Sequence, residues 1–134
     1  MPATNLQCVV VTPERAVLDE PADFVALPLF DGELGVLPGR APLIGRLGPG
    51  ELRLRQGAQT RHFYVDGGFA QVRDNVVTVL TPRALRAEEI DSAGAERALQ
   101  AARGVAPTPE AQAEQAKAQE RARAQLRVVQ HARG

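Results

Sequence analysis

The residues best placed for chemistry lie in one stretch, Gly32-Glu33-Leu34-Gly35-Val36-Leu37-Pro38-Gly39-Arg40-Ala41-Pro42-Leu43. Three glycines and two prolines sit there among aliphatic residues, a density of backbone punctuation that ordinary strands do not tolerate. Each glycine allows a positive φ or a close backbone approach, and each proline fixes φ and removes a donor. Leu34 to Leu37 suit a short strand, and Pro38-Gly39 then predicts a tight turn of type II. The bend presents Glu33 on one side and Arg40 on the other, an acid and a base on a stiff support. Such a pair suits contacts with a partner. A plain corner between two sheets would use the same residue types, and a rigid corner is also a good place for a binding surface.

The remaining reactive side chains are few. His62, on an expected strand, and His131, near the end of the last helix, stand far apart in sequence without a Cys or acidic partner at ligand spacing. They read as exposed polar residues, and no metal is expected. Cys8 falls in a strand, where a buried inert thiol is expected, and no Ser or Cys stands in a nucleophile motif. No glycine-rich loop leads from a strand into a helix with a lysine, so the phosphate cradle of nucleotide hydrolases is missing. No active site and no cofactor are expected. A binding or coupling module is the better class. Within that class a small-molecule sensor with a helical lid, or an adaptor dimerising through alanine-rich helices, stays open beside a subunit of a larger machine.

The composition agrees. Sixteen basic and sixteen acidic residues balance, which argues against a binder relying on broad phosphate attraction. All basic residues except Lys117 are arginine, the firmer maker of bidentate contacts. The single cysteine excludes a disulfide framework and points to a reducing compartment. No apolar run approaches the length of a membrane span, and no secretory signal is expected at the N-terminus. Without Trp and with few aromatics, the core must be aliphatic.

Two kinds of element must position these residues. From Leu6 to Leu80 short period-two runs are each closed by turn residues, as at Thr12-Pro13, Asp31-Gly32, Gln56-Gly57 and Asp74-Asn75. Gly48-Pro49-Gly50 and Gly67-Gly68 read as further breaks. Nine or ten short strands without intervening helix predict an antiparallel β-sandwich over residues 1–86. After Pro82 the alphabet changes to Ala, Glu, Gln and Arg, and residues 87–134 predict an α-helical hairpin. Asp91 caps a first helix running to about Arg103, and Gly104 stops it. Thr108 caps a second, with Pro109 in its first turn, running towards Ala132. The apolar stripes are thin: Ala95, Ala98, Leu99 and Ala102, then Ala111, Ala118, Ala122, Leu126 and Val129. Alanine buries little area, so docking of the hairpin should be weak and reversible.

The stretch from Gly32 to Leu43 resembles the signature loop of the epsilon subunit of F-type ATP synthases. So does Gly67-Gly68-Phe69-Ala70-Gln71-Val72 with Asn75-Val76-Val77-Thr78-Val79-Leu80. Arg86-Ala87-Glu88-Glu89-Ile90-Asp91 matches that family's junction, and Ala124-Gln125-Leu126-Arg127-Val128-Val129 its last helix. The resemblance is collinear from about Leu6 to Val129. It implies a non-catalytic rotor component in the central stalk, one copy per complex. The subunit would couple rotation of the proton-driven c-ring to ATP synthesis and restrain ATP hydrolysis through its C-terminal helices. Implied partners are the gamma subunit, the c-ring and the alpha/beta catalytic head, at the cytoplasmic face of the bacterial inner membrane as a peripheral component.

The resemblance also assigns residues. The c-ring contact would be Glu33, Gly35, Pro38, Gly39 and Arg40, with Arg40 standing where the family usually has His. Arg121, Arg123 and Arg127 would meet the catalytic head when the hairpin extends, or else form a solvated face. Some members bind ATP through a motif that reads here Ile90-Asp91-Ser92-Ala93-Gly94-Ala95, with Gly94 in place of arginine. Gln125 stands where a second-helix arginine is common, while Arg121 is kept. Glycine offers no donors to a phosphate, so ATP binding by this subunit is not expected.

Overall fold

Alternating apolar and polar residues build eight strands in the computed structural model, which describes residues 5–133. The first four residues of the expected 1–86 unit, and Gly134 of the hairpin, lie outside the described residues. The strands are β1 (Leu6–Val11), β2 (Ala16–Ala22), β3 (Phe24–Leu29), β4 (Gly32–Val36), β5 (Leu43–Gln56), β6 (Gln59–Arg73), β7 (Val76–Leu80) and β8 (Ala84–Arg86). A 3-10 turn over Ala87–Glu89 leads to α1 (Ser92–Ala101) and α2 (Pro109–Ala132). The hydrogen-bonded order is β2-β1-β7-β6-β5-β3-β4, with β8 also paired to β6. The β-sandwich and helical hairpin expected from the sequence are both present.

The strand count is lower than nine or ten for a definite reason. Gly48-Pro49-Gly50 and Gly67-Gly68 bend strands without ending them, so β5 runs 14 residues and β6 runs 15. The second half of β6 pairs with β7 from Phe69 to Arg73, and its first half pairs with β8 from Phe63 to Val65. One strand thereby serves both layers. Gly68 makes this possible: its φ is +103°, and a Cβ there would lie 2.0 Å from the Leu80 carbonyl oxygen. The sheet is also mixed, because β1 runs parallel to β7 from Gln7 to Val11. Turn chemistry follows the sequence elsewhere. Asp74-Asn75 takes positive φ at both residues, as a two-residue hairpin requires. The β3–β4 turn falls on Phe30-Asp31, one residue before the expected Asp31-Gly32.

The core is aliphatic. Leu6, Val10, Val25, Leu27, Leu52, Leu54, Val65, Val72, Val77 and Val79 fill the space between the layers. Cys8 lies among them with no exposed surface. Burial, with the charges of Glu20 and Asp19 adding to it, pushes its thiol up to about 12. At neutral pH the thiol is therefore protonated and inert, as its place in a strand suggested.

The helices begin where expected. Asp91 accepts from the Gly94 backbone N–H at 3.0 Å, and Thr108 accepts from Ala111 N–H at 3.1 Å. α1 ends at Ala101, two residues before the expected Arg103. α1 packs on α2, and α2 lies across the outer face of β5 and β6. The buried positions differ in part from the expected stripes. Ala95 of α1 and its C-cap Ala102 are buried while Ala98 is exposed, and α2 buries Ala122, Ala124 and Val128. Ala124 and Val128 meet Tyr64 and Ile90, flanked by Leu85, Ala87 and Val129. They lie beside the predicted line through Ala122, Leu126 and Val129 because α2 must face a sheet as well as α1.

The helix–helix joint has its own fastening. Gln112, Gln115 and Gln119 of α2 donate side-chain N–H groups to the carbonyls of Ala106, Gly104 and Ala102. The open carbonyls at the end of α1 and in the following turn thus find partners on one face of α2.

Candidate functional site

The loop after β4 is built as a tight turn. Arg40 N–H donates to Leu37 C=O at 3.3 Å, and Gly39 at the third position has φ +85°. These are the marks of the expected type II turn. Gly39 N–H also donates to the Asn75 side-chain oxygen at 2.7 Å, which ties the turn to the β6–β7 hairpin. Gly35 lies under the Phe24 ring, whose Cζ would be 3.1 Å from an added Cβ. Pro38 is half-buried, whereas Gly39 and Arg40 are exposed.

The two charges differ in state. Glu33 accepts from Arg53 at 2.6 Å, so its charge is already answered within the sandwich. Arg40 has no ion pair among the described residues and stands free at the turn. An unengaged guanidinium on a stiff turn is a ready donor to carboxylate or carbonyl groups of a partner. An apolar strip lies nearby in the register: Phe69 pairs with Leu80, and Ile44 with Gln71 beside it. All three apolar side chains are exposed, at 57% for Phe69, 54% for Leu80 and 77% for Ile44.

The second constellation joins the hairpin to the sandwich, and it corrects the reading of the histidines. His62 and His131 are not separate exposed residues without an acidic partner. Both contact Glu51, His62 Nδ1 at 2.9 Å from Oε2 and His131 Nδ1 at 2.8 Å from Oε1. Their rings are 6.5 Å apart. Glu51 is only 7% exposed, although its alternation along β5 marks it as an outward charge. It does point outward from the core, but α2 covers that face. A second polar link lies farther along α2. Tyr64 O–H donates to Asp66 Oδ1 at 2.9 Å, and Arg121 Nε–H donates to the same oxygen at 3.0 Å. Burial first, then the hydrogen bond and charge of Asp66, pushes the Tyr64 phenol well above its ordinary range.

Arg121, Arg123 and Arg127 are all exposed but do not form one group. Arg121 reaches back to the sandwich, while Arg123 and Arg127, four residues apart, share another face. Asp91, Gly94 and Ala95 line an open hollow of about 410 Å³ together with Arg83, Arg121 and Gln125. Ile90 instead belongs to the apolar cluster under α2. A Cβ at residue 94 would lie 2.5 Å from Asp91 Oδ2, so a side chain there has to displace the capping carboxylate.

Neither constellation holds a nucleophile, and among the described residues no cluster of His, Cys, Asp and Glu could hold a metal. Fold and sites together define a class: a sandwich that presents a stiff exposed turn and carries a helical hairpin fastened by a few bonds. The ATP synthase delta/epsilon chain beta-sandwich domain family matches residues 5–87. The ATP synthase epsilon chain of Rhodopirellula baltica is 54% identical over 92% of this chain and 98% of its own. That of a Synechococcus strain is 40% identical over 90% of each chain. Among solved structures, a chain of the Euglena gracilis mitochondrial ATP synthase OSCP/F1/c-ring assembly in rotational state 1 superposes with a TM-score of 0.84 at 26% identity. It covers 98% of this chain and 82% of that one. The chain belongs to the ATP synthase epsilon-chain family, and it is a non-catalytic member of that machine.

Proposed function

We propose that this chain is a central-stalk rotor subunit that joins the c-ring to the gamma subunit, so that proton-driven rotation reaches the catalytic sites. It works as a peripheral component at the cytoplasmic face of the bacterial inner membrane, where among the described residues no helix could cross the bilayer. The observation that carries this reading is the tied turn Leu37–Arg40, which holds a guanidinium without an ion pair among the described residues on a support braced by Asn75. Torque needs a contact that does not yield. The exposed Phe69, Leu80 and Ile44 strip suits the apolar surface of the gamma subunit, and residues 1–86 form the unit that assembles. Arg123 and Arg127, which make no ion pair among the described residues, are cations that the hairpin would carry to the catalytic head.

The test is the double substitution Glu33→Ala with Arg40→Ala in reconstituted vesicles. Both side chains are exposed, and losing the Glu33–Arg53 pair costs about 1 kcal/mol or less, so melting should move little. Proton pumping per ATP hydrolysed should fall severalfold while binding to gamma at one-to-one stoichiometry persists. Unchanged coupling would return the loop to a purely structural role. A chain that ignored gamma would favour the sensor or adaptor reading.

The hollow between the helices and β8 is the place where ATP affinity would arise, and we propose that it lacks a useful one. Gly94 supplies no guanidinium, and Arg121 is already committed to Asp66. A charge-assisted hydrogen bond contributes roughly 1.5–3 kcal/mol, about ten- to a hundredfold in affinity. Isothermal titration should find no micromolar binding in the wild type. Gly94→Arg should gain affinity only as far as Asp91 can give up its cap. Micromolar binding by the unaltered chain would sink the idea.

A further inference from the structure

We propose that Arg46 sets the register of the gamma subunit on the exposed apolar face, by taking a carboxylate that gamma presents among apolar side chains. The inference rests on the rotor reading and names the chemistry that its gamma contact requires.

Four side chains stand in one row across three strands and a turn. Arg46 of β5 pairs with Phe69 of β6, and Phe69 pairs with Leu80 of β7. Phe30, in the β3–β4 turn, closes the row at the other end, its ring centroid 5.2 Å from Arg46 Cζ. Alternation turns this row away from the core. Leu47, Ala70 and Val79, the next residues along the three strands, are all buried. A Cβ on Gly45 would lie 2.9 Å from Leu29 Cδ2, so Gly45 faces inward between Ile44 and Arg46. Phe30 is 71% exposed, and the guanidinium therefore has bare apolar surface on both sides.

In the isolated chain water serves Arg46 well enough, since the side chain is exposed. A partner that covers the rings takes that water away. A guanidinium cannot shed its proton, so once covered its charge has to be answered. No group of this chain does so, for Arg46 makes no ion pair among the described residues. Asp31, beside Phe30 in the turn, leaves it unpaired. So does Glu120 of α2, whose Oε1 lies 4.0 Å from where a Cβ on Gly48 would stand. The turn also holds the guanidinium in place. Phe30 N–H donates to Arg46 C=O at 2.7 Å, which keeps the ring beside the cation. The answering acid must come from the partner. A carboxylate meets a guanidinium through two parallel bonds, so the pair fixes orientation as well as position. The apolar residues alone would let gamma slide, whereas one charge among them admits one register.

Titration of the full-length chain against purified gamma subunit tests this. Arg46→Gln should weaken binding about ten- to a hundredfold in dilute salt, with melting near the wild-type value. Arg46→Lys, which keeps the charge and loses the flat fork, should fall between the two. Raising salt to about 0.5 M should weaken the wild type severalfold and Arg46→Gln much less. Phe69→Ala should also bind more weakly, but with the wild-type salt dependence. Wild-type affinity in Arg46→Gln would overturn the proposal, and with Phe69→Ala impaired the rotor reading would survive it. Weakened binding with an unchanged salt dependence in Arg46→Gln would assign the residue to packing and overturn the proposal too. Dimerisation of the isolated chain that Arg46→Gln abolishes would give the face to a second copy instead. A wild type that ignores gamma would overturn both readings.

Discussion

Gly68→Ala should lower the stability of the sandwich by about 3–4 kcal/mol, from one added methyl group. Two costs combine. At φ +103° an L side chain is strained, and the new Cβ would sit 2.0 Å from the Leu80 carbonyl oxygen and 2.9 Å from Thr81 Cα. Those neighbours are backbone and cannot rotate away. Relief requires opening the Phe69–Leu80 pair, where β6 crosses from one layer to the other. Thr81 resists that movement, since its N–H donates to Val11 C=O at 3.1 Å and its hydroxyl to Arg83 C=O at 3.1 Å. Thermal unfolding followed by circular dichroism should show a melting temperature lower by roughly 10–15 °C. Gly57→Ala is the control: its φ is +60° but its Cβ would meet nothing within 4 Å. That substitution should cost only about 1 kcal/mol. Similar melting of the two variants would mean that the crossing is not tight.

Val128→Asp should release the hairpin while leaving the sandwich folded. Val128 has no exposed surface and meets Tyr64, Ile90 and Ala124. The substitution removes about 1.5–2 kcal/mol of apolar burial and would bury a carboxylate with no partner, at several kcal/mol more. Undocking avoids that cost, because the released side chain regains water. Tyr64 reports the change directly. It is the only tyrosine in a chain without tryptophan, and α2 covers it. Acrylamide should quench tyrosine emission severalfold more efficiently in the variant, while the sandwich keeps a cooperative melting transition. Its apolar core lies wholly between Leu6 and Ala84 and uses no helical residue. Loss of that transition along with the hairpin would contradict two separable units.

These two substitutions also mark what the sequence could and could not reveal. Turn chemistry is local, so Pro38-Gly39, Asp74-Asn75, Asp91 and Thr108 could be read directly. Gly67-Gly68 could not be placed, because a glycine pair that ends a strand and one that bends it look alike from one side. The partner that decides between them, Leu80, is distant in sequence. Glu51 shows the same limit. Alternation says that it leaves the core, and only tertiary packing says that a helix lies over it. Tyr64 was the available hint: an aromatic residue between His62 and Asp66 on an otherwise polar face implies a cover. The joining of His62 to His131 has no sequence signature, since it rests on where α2 crosses the sheet.

The three glutamines between α1 and α2 set a division of labour within the hairpin. Amide-to-carbonyl bonds carry no net charge, so they neither titrate nor fade with added salt. The Arg121–Asp66 ion pair that moors α2 to the sandwich does weaken with added salt. Ionic strength therefore acts on the mooring of the arm and spares its elbow. Added salt would loosen α1 and α2 as one stiff boom, hinged at the short segment from Glu89 to Asp91 with its bend at Gly104 still closed.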